Sequence, residues 1–165
     1  MSSLELTGFC HISQGDAHLT SHNKNAVTGL GHNPIWALTK VNPDHLLGSH
    51  KLTIALTSEP IDDPNATPNV LTLGEKTEVD GIQIFLAPLE SPPSQRQLWT
   101  LEDVLPTKRF PPYVIARIQS CECPEMSAGV GFMPVPLPRL YMNVSAVKNG
   151  DLGDDQKWTL DFVLP

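Results

Sequence analysis

Apolar and polar residues alternate along this chain in short runs, each bounded by proline, glycine, asparagine or serine. Gly8-Phe9-Cys10-His11-Ile12, Leu52-Thr53-Ile54-Ala55-Leu56 and Tyr113-Val114-Ile115-Ala116-Arg117 read as half-buried strands, because successive side chains on a strand face opposite ways. A second set comprises Ile82-Gln83-Ile84-Phe85-Leu86 and Leu140-Tyr141-Met142-Asn143-Val144, with a shorter counterpart in Ala26-Val27-Thr28-Gly29-Leu30. Sixteen prolines run from Pro34 to Pro165. A proline inside a helix costs roughly 3 kcal/mol, so the gaps between them rarely leave room for a long helix. The pattern predicts an all-β domain and excludes a helical bundle.

The tryptophans carry the strongest periodic signal. Pro34-Ile35-Trp36-Ala37-Leu38-Thr39, Gln97-Leu98-Trp99-Thr100-Leu101-Glu102 and Gln156-Lys157-Trp158-Thr159-Leu160-Asp161 are three copies of one local pattern, spaced 63 and then 59 residues apart. Two copies read Gln-x-Trp-Thr-Leu, and the first has proline in place of glutamine. A four-strand unit of this kind cannot bury its own apolar face, so three of them must share a core. The chain thus resembles a β-trefoil of three pseudo-repeats, over approximately 7–48, 49–110 and 111–165, each closed by a Trp-containing strand. A single domain over residues 1–165 is expected. The repeated Trp, Leu and Ile positions are expected to line the core, and the first repeat is trimmed in its loops.

Charge narrows the partners. Charged residues are 18% of the chain and the net charge is −7, which argues against nucleic acid and anionic membrane. No apolar run reaches the ~18 residues that span a bilayer. The start, Met1-Ser2-Ser3-Leu4-Glu5, lacks the basic and apolar regions of a secretory signal, so a cytoplasmic product is expected. Cys10, Cys121 and Cys123 are too few, and odd in number, for a disulfide framework, and no second pair completes a zinc site.

Catalytic patterns are missing from the chain: it has no G-x-S-x-G, P-loop, G-x-G-x-x-G or H-E-x-x-H motif. The six histidines all lie in the first third, but His18 and His22 are i, i+4 on a strand-and-turn stretch, not a helix. Asp62-Asp63 and Asp154-Asp155 sit in turn-like contexts that do not suit paired acid and base work. The expectation is a monomeric binding protein, not an enzyme, with no metal and no cofactor.

One stretch stands apart in charge. Residues 17–43 contain no Asp or Glu, while Lys24 and Lys40 are basic. At its centre, His22-Asn23-Lys24-Asn25 lies between two alternating runs and reads as a hairpin tip. Proline-rich segments such as Ser58–Pro68, Thr107–Pro112 and Met133–Pro138 are expected to be rigid connections, which binding proteins use.

The Trp-closed repeats, the Ser2-Ser3-Leu4-Glu5 start and the proline-rich third unit resemble the small cytosolic β-trefoil proteins of mushrooms. Two branches are implied. One is the protease inhibitors, which include serine-protease inhibitors and the cysteine-protease inhibitors called mycocypins. The other is the ricin-B-type lectins, whose Q-x-W signature Gln97-Leu98-Trp99 and Gln156-Lys157-Trp158 match. No repeated Asp–aromatic–Asn set of the lectin kind is visible, so the resemblance favours a protease inhibitor that fills a protease cleft with a rigid loop. It points to His22, Asn23, Lys24 and Asn25, and to Asp63, Pro64, Asn65 and Ala66 as a second loop. The alternative is a lectin, with a glycan as partner in place of a protease.

Overall fold

The computed structural model describes residues 8–31, 33–41, 51–57, 67–75, 81–106, 113–130, 141–149 and 156–163. They form strands β1 (Gly8–Gln14), β2 (Ala17–His22), β3 (Asn25–Gly29), β4 (Ile35–Val41), β5 (Lys51–Thr57) and β6 (Asn69–Leu73). The second half comprises β7 (Ile82–Pro88), β8 (Trp99–Pro106), β9 (Tyr113–Ser120), β10 (Met126–Val130), β11 (Tyr141–Lys148) and β12 (Trp158–Phe162). A 3-10 turn, Gln95–Gln97, precedes β8. The described residues are all-β, as the alternation predicts.

Six strands close into a ring by antiparallel pairing in the order β1, β4, β5, β8, β9, β12 and back to β1. Closure removes the unpaired edges that an open sheet would expose. The other six form three hairpins, β2–β3, β6–β7 and β10–β11. Their second strands also pair with one another, β3 with β7, β7 with β11 and β11 with β3. Each of these pairings recurs when every strand is advanced by four. The expected repeat boundaries near 7, 49 and 111 fall outside the described residues.

Register explains the core. Trp36 lies opposite Cys10, Trp99 opposite Leu52 and Trp158 opposite Ala116. Two residues beyond each partner, Ile12, Ile54 and Ile118 are fully buried. Two beyond each tryptophan, Leu38, Leu101 and Leu160 are buried as well. The sequence match of Tyr113–Arg117 with Leu52–Leu56 is therefore displaced: Ala116, not Tyr113, occupies the place of Leu52. β9 is long enough to bring Ile118 into the apolar layer, which leaves Ile115 half-buried on the outer face.

The tryptophans also tie the hairpins to the ring. Their indole N–H groups donate to the backbone carbonyls of Leu19 on β2 (3.1 Å), Leu71 on β6 (3.0 Å) and Ala128 on β10 (2.9 Å). A buried indole N–H needs a partner, and each finds it thirty or fewer residues upstream. The two signature glutamines are spent on the scaffold too. Gln97 is buried, donates to the Pro88 carbonyl (2.9 Å) and accepts from the Glu90 amide (2.9 Å). Gln156 is buried and donates to the Lys148 carbonyl (2.9 Å). In the first copy Pro34 has no amide side chain, and its carbonyl accepts from His11 Nδ1 (3.1 Å).

Candidate functional site

Because the ring buries Cys10, Ile12, Val114, Ala116, Trp158 and Leu160, the alternate residues of β1, β9 and β12 face outward. Register then aligns three chemistry-bearing side chains across adjacent strands: His11 opposite Asp161, and Asp161 opposite Tyr113. Directly opposed residues of an antiparallel pair have Cβ atoms about 4.5–5.5 Å apart, so these three form one continuous row. The next row reads Ser13, Thr159, Ile115 and Leu105 on β8. On the other side, the Val163 amide donates to the Phe9 carbonyl (2.8 Å), and Phe9 is 55% exposed.

The row has defined chemistry. Asp161 is exposed, so its carboxylate is open to hydroxyl donors. A carbonyl can only accept, so the His11–Pro34 bond places a proton on His11 Nδ1 and leaves Nε2 as the acceptor of the neutral ring. Tyr113 is half-buried beside the carboxylate, and Phe9 supplies an exposed aromatic face one row away. A carboxylate flanked by rings can hydrogen-bond the edge of a polyhydroxylated ligand and pack against its C–H face.

Among the described residues, Cys10 and Cys121 are not activated as nucleophiles. Burial, and then the charge of Asp161, push the Cys10 thiol up to about 12. Burial raises the Cys121 thiol as well, against an opposing effect of Lys51. The thiolate is the reactive form, so both sites disfavour it. Among the described residues no group of three His, Cys, Asp or Glu is placed to hold a metal ion.

The residues singled out from sequence lie elsewhere. His22, Asn23, Lys24 and Asn25 do form a hairpin tip, between β2 and β3, with His22 opposite Asn25. Asn23 (φ 50°) and Lys24 (φ 67°) are both left-handed, as in a two-residue type I′ turn. A chain that occupies a protease cleft runs extended and pairs by its backbone. The Lys24 carbonyl is instead taken up by the Leu86 amide of β7 (2.7 Å). Asp63, Pro64, Asn65 and Ala66 lie outside the described residues. Sequence reasoning missed Phe9, His11, Tyr113 and Asp161, which come from opposite ends and the middle of the chain. Two signals were present: Phe9 is an aromatic at a solvent-facing alternation position, and Asp161 is an acid three residues after a core tryptophan.

No protein-family model matches the chain, and no curated protein matches it. Solved structures do. A structure of botulinum neurotoxin type C, whose uptake into cells depends upon interaction with two ganglioside molecules, aligns with a TM-score of 0.65 at 10% identity. It covers 94% of this chain and 42% of that one. The binding domain of botulinum neurotoxin serotype C1 aligns with a TM-score of 0.67 at 9% identity, over 96% of this chain and 44% of that one. Cry35Ab1 aligns with a TM-score of 0.54 at 12% identity, over 98% and 38%. The chain therefore spans less than half the length of each. At such identities the likeness shows the fold alone, and that fold is of the β-trefoil type.

Proposed function

We propose that this chain is a carbohydrate-binding β-trefoil module, assembled from three four-strand pseudo-repeats, and that the outer face of β1, β12 and β9 holds the sugar. The observation that carries this reading is the His11–Asp161–Tyr113 row beside exposed Phe9. Asp161 accepts two neighbouring sugar hydroxyls, His11 Nε2 accepts a third, and the aromatic faces take up the apolar side of the ring. The likeness to a neurotoxin structure that interacts with gangliosides supports the same direction. It shifts the balance from protease inhibition, the first expectation from sequence, to the lectin alternative. The left-handed tip at Asn23 and Lys24 adds no support for a cleft-filling loop.

The test is a glycan array followed by titration calorimetry on the best ligand. Hydrogen bonds to a charged group contribute about 1.5–3 kcal/mol, so Asp161→Asn should weaken binding by about tenfold to a hundredfold. Thermal unfolding should hardly change, because Asp161 is exposed. Unaltered affinity in Asp161→Asn and in Tyr113→Ala would remove the site, and an array without any bound glycan would remove the function.

A further inference from the structure

The β2–β3 tip is not part of the sugar row, yet it combines two features that the fold does not require. The first is backbone strain. In a two-residue hairpin turn of this hand, glycine is the favoured second residue, because a side chain at positive φ crowds its own backbone. This chain places lysine there, at φ 67°, with its side chain exposed. Strain of this kind is retained where the side chain has a task.

The second feature is the charge of the described strands that seat the tip. The Lys24 carbonyl is anchored by the Leu86 amide and Asn25 lies opposite Phe85, so the tip is seated on β7. Neither β2, β3, β7 nor the adjoining β6 contains an Asp or Glu. In a chain of net charge −7, the ammonium group thus meets no acid on these four described strands. The Asn23 amide nitrogen lies 3.4 Å from His22 Nε2, and its side chain, exposed at the tip, adds a donor next to the lysine.

We propose that the His22–Asn25 tip is a second binding point, which takes the carboxylate or sulfate group of an anionic saccharide. This rests on the reading that the chain binds glycans. Lys24 supplies the charge, Asn23 a hydrogen bond, and the tight turn, anchored on β7, holds both without further ordering. The attraction weakens with salt, since the lysine is exposed.

The experiment compares three probes, lactose, sialyllactose and a sulfated lactose, on the wild type, Lys24→Gln and Lys24→Gly. Lys24→Gln keeps a side chain on the strained backbone and removes the charge; Lys24→Gly removes both. The expected result is an affinity for the anionic probes at least tenfold above lactose in the wild type, lost in both variants, with lactose binding unchanged. Lys24→Gly should unfold at or above the wild-type temperature. Preference for sialyllactose alone assigns the carboxylate, and for sulfated lactose alone the sulfate. Equal binding of all three probes by all three proteins overturns the inference and leaves the sugar row standing. A glycine variant that unfolds well below the wild type overturns the strain argument. Failure of the wild type to bind any of the three, and any glycan on an array, overturns both readings together.

Discussion

Replacing Trp99 measures how the ring and the hairpins depend on each other. Its side chain is fully buried, and its indole N–H donates to the Leu71 carbonyl on β6. An aromatic side chain buries about 150–250 Å², which at about 25 cal/mol per Å² corresponds to about 4–6 kcal/mol of apolar transfer. Truncation to alanine in protein cores costs about 3–5 kcal/mol, because the surroundings relax in part. That is the loss expected for Trp99→Ala, a large share of the 5–15 kcal/mol that holds a typical domain together. Trp99→Phe keeps most of the ring but leaves the Leu71 carbonyl without its donor, a penalty of about 1–3 kcal/mol. Urea unfolding followed by fluorescence of the remaining tryptophans reads both values. Because Trp36 and Trp158 make the same bond to β2 and β10, their phenylalanine variants should match Trp99→Phe within about 1 kcal/mol. A change below about 1 kcal/mol in Trp99→Ala, with glycan binding abolished, would refute the reasoning and make the tryptophan a recognition residue.

Gln97→Leu should destabilise by about 2–3 kcal/mol in the same assay, because the Glu90 amide and Pro88 carbonyl both lose a buried partner. Gly74→Ala should cost about 1–3 kcal/mol, since a Cβ there would stand 2.8 Å from the Gln83 carbonyl oxygen, which is backbone and cannot swing away. Cys10 predicts a pH effect. Its thiol keeps its proton in the fold up to about 12 and loses it near 9.0 when unfolded. Its contribution is complete below 9.0 and is lost as pH rises from there to about 12, with a slope of at most about 1.4 kcal/mol per pH unit. Cys10→Ala should remove that slope from the urea midpoint measured between pH 8 and 10.5, and a slope of the same size in the variant would show that another group is responsible.

Sequence by itself determined the class of fold and the identity of its core. Period-two alternation, the proline spacing and three copies of one Trp pattern are local signals, and the buried Trp36, Trp99 and Trp158 stand where those signals put them. It also located the β2–β3 tip, because an Asn-Lys pair between two alternating runs is a short-range turn signal. Register was less legible. The repeats differ in length, so matching Tyr113 to Leu52 was natural, and only hydrogen bonding across β9–β12 and β5–β8 shows that Ala116 holds that place. The row proposed to hold a sugar was not legible at all. His11, Tyr113 and Asp161 are each an ordinary solvent-facing residue on its own strand, separated by about a hundred residues or by dozens. Closing the ring sets β12 between β1 and β9, and pairing at one particular register puts the carboxylate between the two rings. Such a site is a property of strand order and register, which depend on contacts between distant parts of the chain, and no local pattern encodes them.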